Sequence, residues 1–170
     1  MAENPAAGKN DQSGRMPGRP IGTVRVDIAR QDKKTFEATY KTEEKTFQLM
    51  IDEPETRGGK GLGPTPLGYF VTGAASCLMM QYANVLKEKP MLVDSIKMVA
   101  RAHNDREARV FTDMIYQVDL AGTISEADAE ALARAASARC FVENTIAKAL
   151  PITTEVSLNG KKVVAFTRNS

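Results

Sequence analysis

The chain has 170 residues, 42% hydrophobic and 26% charged, enough for one globular domain that buries a core without disulfide staples. Its net charge of +2 balances 23 basic against 21 acidic side chains, and no single-sign run is long enough for a nucleic-acid or membrane-surface footprint, so neither partner is expected. A single histidine excludes a multi-histidine metal centre, and two cysteines 63 positions apart exclude a zinc ribbon, so neither metal nor other cofactor is expected.

The first residues, MAENPAAGKNDQSGRMPGRPIG, are rich in Gly, Pro, Asn and Lys and hold no apolar core of a secretory leader. Residues 1–21 therefore read as a flexible arm and 22–170 as a single domain. Two unframed cysteines suit a reducing cytoplasm, where any bond between them is transient. From Thr23 to Arg30, Val24, Val26 and Ile28 alternate with Arg25 and Asp27, the period of a half-buried strand. The pattern recurs at Phe36, Ala38 and Tyr40 and again at Phe47, Leu49 and Ile51, which predicts an antiparallel meander.

Clustered glycines and prolines in DEPETRGGKGLGPTP exclude regular structure. Thr65 then offers an N-cap and Pro66 a first helical residue, so a helix is predicted over Pro66–Glu88, stopping before Pro90. The stretch from Gly61 to Leu86 carries no charge over 26 residues, longer than the ~20 that cross a bilayer. Glycines and prolines fill its first half, and Gln81 and Asn84 interrupt its second, so it reads as a helix buried on nearly all sides in a soluble core.

Two strands follow, Leu92–Ala102 and Arg109–Leu120, joined as a hairpin by the polar link HNDREA. Ser125 with Asp128 begins an alanine-rich helix at Glu126 that reaches Cys140 and continues, with a break, to Ala149. Thr153–Leu158 closes the sheet, and Asn159-Gly160 turns into a short extension at Val163–Phe166. The order βββ-α-ββ-α-β, without internal repeats, makes the fold class α+β.

GGKGLG is neither a dinucleotide fingerprint nor a Walker loop. What remains for chemistry is the thiols. Cys77 with His103 is the one formal Cys-His pair, and His103 reads as a surface residue of a strand. On composition alone both cysteines read as small buried hydrophobes.

The segment order and motifs, however, resemble the osmotically inducible protein C and organic hydroperoxide resistance (OsmC/Ohr) family, in its OsmC-like branch. The likeness is carried by DEPETRGGKGLGPTP, by GAASC on the long apolar helix and by ARCFVENTIAKALPITTEV, and it spans about Val24–Leu158. It implies antiparallel sheets around a long buried helix in an intertwined homodimer. It also implies a thiol-dependent peroxidase in which Cys77 attacks an organic hydroperoxide and Cys140 resolves the sulfenic acid to a disulfide, reduced in turn by a dithiol.

In the hydroperoxide-resistance branch an arginine from the first hairpin activates the attacking thiol and a glutamate precedes the helix. Here the position after Pro66 is Leu67, and Arg30 and Arg57 are the candidate activating cations. The alternative is a non-catalytic OsmC-like protein that binds an apolar small molecule at the dimer interface, with the cysteines as lining.

Overall fold

Alternation between apolar and polar side chains builds the first sheet of the computed structural model, which describes residues 22–169. The arm expected over residues 1–21 lies outside the described residues. β1 (Val26–Arg30), β2 (Phe36–Lys41) and β3 (Thr46–Ile51) form the predicted antiparallel meander. In its register Val26 faces Tyr40, which faces Phe47, and Ile28 faces Ala38, which faces Leu49. These rows gather the apolar side chains on one face, which the described residues leave largely open: Ile28 is 61% exposed and Phe47 47%, although Ala38 at the centre is buried.

The loop after β3 is ordered by a buried carboxylate rather than by secondary structure. Asp52 Oδ1 accepts from the Glu53 amide at 2.8 Å, and Oδ2 accepts from the amides of Lys60 at 3.1 Å and Leu62 at 3.2 Å. One 3-10 turn, Glu55–Arg57, lies inside the segment. The fold back is so tight that a Cβ on Gly59 would stand 1.8 Å from the Glu53 carbonyl oxygen, and one on Gly63 2.0 Å from that of Met50.

Helix α1 has the predicted limits, Pro66–Glu88, with Thr65 Oγ1 accepting from the Gly68 amide at 3.2 Å. It is buried along one stripe only, Ala74, Leu78, Tyr82 and Val85, at helical spacing. Leu67, Phe70 and Met80 remain exposed, so the all-round burial expected from the sequence is absent among the described residues.

The second sheet has the order β4-β5-β6-β7, with β4 at Val93–Asp105, β5 at Val110–Gly122, β6 at Ile152–Leu158 and β7 at Lys161–Arg168. Met114, Tyr116, Val118 and Leu120 of β5 lie beside Ile152, Thr154, Val156 and Leu158 of β6, all buried on one face. The opposite face is polar: Gln117 donates to Glu155 at 3.2 Å, and Lys162 pairs with the same carboxylate at 2.9 Å.

One pair departs from the antiparallel expectation. β5 and β6 run parallel, because the chain between them crosses a face of the sheet as α2 (Glu126–Arg139) and α3 (Phe141–Ile146). β7 is a full eight-residue strand rather than a short extension, entered through a turn with Asn159 and Gly160 both at positive φ. The two antiparallel neighbours of this crossover, β4 and β7, complete a sheet on which α1 and α2 pack side by side.

The Asp52 carboxyl sets an acid limit on the loop. Burial alone would raise its pKa, but the three amides and the Thr35 hydroxyl hold it below the ordinary carboxylate value. With the folded value lowered, its contribution is full above the unfolded carboxyl's pKa and is lost as pH falls through the folded one. Asp52→Asn should therefore lower the melting temperature at pH 7 and show a smaller further loss on acidification than the parent chain, as read by circular dichroism melts.

Candidate active site

Cys77 lies three turns into α1, half-buried, on the side that faces α2. Cys140 reaches it from the end of α2. That helix stops because Cys140 takes an extended backbone, φ −75° and ψ 112°, and the same residue then caps α3, its Sγ accepting from the Glu143 amide at 3.5 Å. The two sulfurs are 3.4 Å apart and both are free thiols. Covalent disulfide sulfurs lie at about 2.04 Å, so this is a dithiol in contact, needing only a small approach to close.

The two thiols differ in access. Cys140 is fully buried. Burial pushes its pKa up to about 11, helped by the contact with Cys77 and by the nearby Glu143 charge and opposed by the Glu143 amide. Cys77 is therefore the thiol that an external reagent meets first.

A polar group that sequence reading missed surrounds the buried sulfur. Glu143 has no exposed surface; its Oε1 accepts from the Ser137 hydroxyl at 2.7 Å, and its Oε2 has no hydrogen-bond partner. Arg168 of β7 stands 3.8 Å from Oε1 and donates instead to the Ser137 carbonyl at 2.8 Å and to Asn144 Oδ1 at 2.6 Å. Burial raises the carboxyl's pKa against the opposing effects of Ser137 and Arg168. Tyr82 of α1 and Tyr116 of β5 complete the wall, both phenols pushed up by burial and by the Glu143 charge. The Tyr116 hydroxyl donates to Met114 Sδ at 2.7 Å, and the Tyr82 hydroxyl has no partner.

The arginines named from the sequence sit elsewhere in the chain. Arg57 pairs with Glu53 at 2.8 Å in the loop, and Arg30 Nε donates to the Asp32 carbonyl at 2.9 Å on the first sheet. Neither guanidinium is directed at Cys77 within one chain. Leu67 is exposed in the first turn of α1 and lines a cleft with Arg106, Arg109 and Phe111 at the β4–β5 turn. His103 pairs with Asp113 at 2.7 Å, in a register position opposite in facing to Met114, so the Cys77–His103 pair does not form. Among the described residues no cluster of His, Cys, Asp and Glu could hold a metal ion, and no helix is long and apolar enough to cross a membrane.

The family model described as OsmC-like protein matches residues 58–155, and the chain belongs to the OsmC family. No curated protein matches it. Among solved structures, an OsmC-like protein from Mycoplasma pneumoniae superposes with a TM-score of 0.70 at 17% identity, covering 81% of this chain and 97% of that one. An organic hydroperoxide resistance protein from Elizabethkingia anophelis, with crystallant-derived thiocyanate bound, gives 0.67 at 15% identity over 83% and 99%. An organic hydroperoxide resistance protein OsmC from Legionella pneumophila gives 0.57 at 17% over 82% and 98%. At these identities the likeness establishes the fold.

The unequal burial of the two sulfurs has a direct readout. Iodoacetamide at pH 8 should alkylate Cys77 of the native chain at least ~10-fold faster than Cys140, and in denaturant the two rates should converge. Peptide mass mapping of a time course distinguishes the sites.

Proposed function

We propose that this protein is a thiol-dependent peroxidase that reduces organic hydroperoxides with the Cys77/Cys140 pair. The observation that supports it above others is the pair of free thiols at 3.4 Å, one half-exposed and one buried. The Cys77 thiolate attacks the peroxide oxygen, the O–O bond breaks, and the alkoxide leaves as alcohol after taking a proton, giving a sulfenic acid at Cys77. Cys140 then forms the S–S bond as the S–O bond breaks, and hydroxide leaves as water. A small dithiol restores both thiols by exchange. Half-exposure suits the striking thiol. Burial suits the resolving one, which needs to meet only its neighbour.

The working unit in this reading is a homodimer. Ile28 and Phe47 on the first sheet and Phe70 and Met80 on α1 leave apolar surface that a second copy would cover. The same association would bring the first sheet and its loop to a partner's α1. Arg57 or Arg30, paired locally with Glu53 and with the Asp32 carbonyl, would then supply the cation that favours the Cys77 thiolate. A second reading, a non-catalytic binder of an apolar small molecule, draws on Leu67, whose exposed aliphatic side chain lines the cleft beside Phe111.

One equivalent of cumene hydroperoxide should consume both thiols and lower the intact mass by about 2 Da, the signature of a disulfide. Cys140→Ser should instead gain about 16 or 32 Da at Cys77, and Cys77→Ser should leave Cys140 unmodified. An untouched Cys77 in Cys140→Ser at millimolar peroxide would overturn the enzyme in favour of the binder. Light scattering should return twice the chain mass at micromolar concentration, and a monomeric mass would remove the dimer.

A further inference from the structure

We propose that the Glu143 carboxylate is the proton carrier of the resolving thiol, taking the Cys140 proton as that sulfur attacks an oxidised Cys77. The inference rests on the peroxidase reading only for the origin of the oxidised Cys77. It is drawn from a fully buried carboxyl that is compensated at only one of its two oxygens. Burying a carboxylate is expensive unless each oxygen is compensated. Glu143 is fully buried, yet Oε2 is unpartnered and Arg168 stands at 3.8 Å from Oε1, with its closer hydrogen bonds to Ser137 and Asn144. An apolar side chain of similar size would fill the same space without that penalty. The carboxyl also belongs to the turn that holds the thiol, since the Glu143 amide donates to Cys140 Sγ at 3.5 Å.

The groups facing the site limit where charge can go. α1 contributes Cys77 and Tyr82, β5 contributes Tyr116, α2 contributes Ser137, and β7 contributes Arg168 as the cation. One cation beside a buried site supports one anion, so Glu143 and Cys140 resist being ionised together. Both tyrosines have raised pKa values and stay neutral. A proton moving from Cys140 to Glu143 converts carboxylate and thiol into carboxylic acid and thiolate at constant net charge. The thiolate then bonds to the oxidised sulfur of Cys77. The departing hydroxide takes the proton back from Glu143 and leaves as water, which resets the carboxylate.

Closure can be watched without peroxide. One equivalent of 5,5′-dithiobis(2-nitrobenzoate) places a thionitrobenzoate on Cys77, with Cys140→Ser as the control for the labelled site, and attack by Cys140 releases it as a coloured anion. The parent chain should close with a rate that levels off once Glu143 is ionised, well below the pH at which a thiol ionises. Glu143→Gln should close at least ~10-fold more slowly near pH 7 and recover as alkali replaces the missing base, whereas Glu143→Asp should retain most of the rate. A Gln variant that closes at the parental rate, or is slowed by one factor at every pH between about 5 and 10, would overturn the proposal. Should Glu143→Gln fail to fold, the parent profile decides: a rate rising about tenfold per pH unit up to the thiol range would also overturn it. Glu143-dependent closure in a chain that consumes no peroxide would sink the peroxidase reading alone. Normal peroxide consumption with Glu143-independent closure would sink this inference alone.

Discussion

The packing of one stripe of α1 against α2 and the second sheet is the interaction on which the site depends. Ala74, Leu78, Tyr82 and Val85 meet Ala129, Leu132, Ala133 and Ala136 in one buried cluster. Alanines along α2 keep side-chain bulk out of the seam, and the fully buried Leu78 and Leu132 each stabilise it by about 2 kcal/mol. Cys77 rides on this stripe one position from Leu78, and Cys140 ends the opposing helix. The sulfur contact is thus a by-product of helix packing, held by many apolar contacts rather than by its own weak interaction.

Against that apolar frame the polar groups stand out. Asp52 and Glu143 are both buried carboxyls, but they are treated differently. Asp52 is saturated by three amides, which makes it a device for folding a loop. Glu143 keeps an oxygen without a partner, and its charge helps to raise the pKa of the thiol three residues before it. The first arrangement spends a carboxylate on order; the second leaves one chemically available.

The parts legible in the sequence are those governed by local rules. The meander follows from strict alternation, and the limits of α1 from Thr65, Pro66 and Pro90, each of which acts on its own neighbours. The two cysteines were brought together by family resemblance and not by spacing, since contact across 63 positions is a tertiary property. The parallel pairing of β5 and β6 left a usable trace, because a connection of some thirty residues carrying helices suits a crossover better than a hairpin. Glu143 left none. A glutamate in the polar-looking run FVENT reads as solvent-facing, and only the return of β7, which sets Arg168 beside it, encloses it. The exposed stripe of α1 was hidden for the same reason, because hydrophobicity shows that a surface wants covering and not which chain covers it.

The span between the two cysteines ties redox state to the resistance of the whole domain to unfolding. A bond joining positions 63 apart would enclose the second half of α1, β4, β5 and all of α2 in one covalent ring. Such a ring deprives the unfolded chain of conformational freedom worth about 4 kcal/mol by loop-closure entropy. Because the native fold already holds the sulfurs in contact, the fold and the bond reinforce each other through a closed thermodynamic cycle. An oxidised chain would be the harder to denature, and the folded dithiol would be the harder to keep reduced. Any reductant that opens the ring would therefore work against the extra stability that the closed ring gives the fold as well as against the sulfur–sulfur bond.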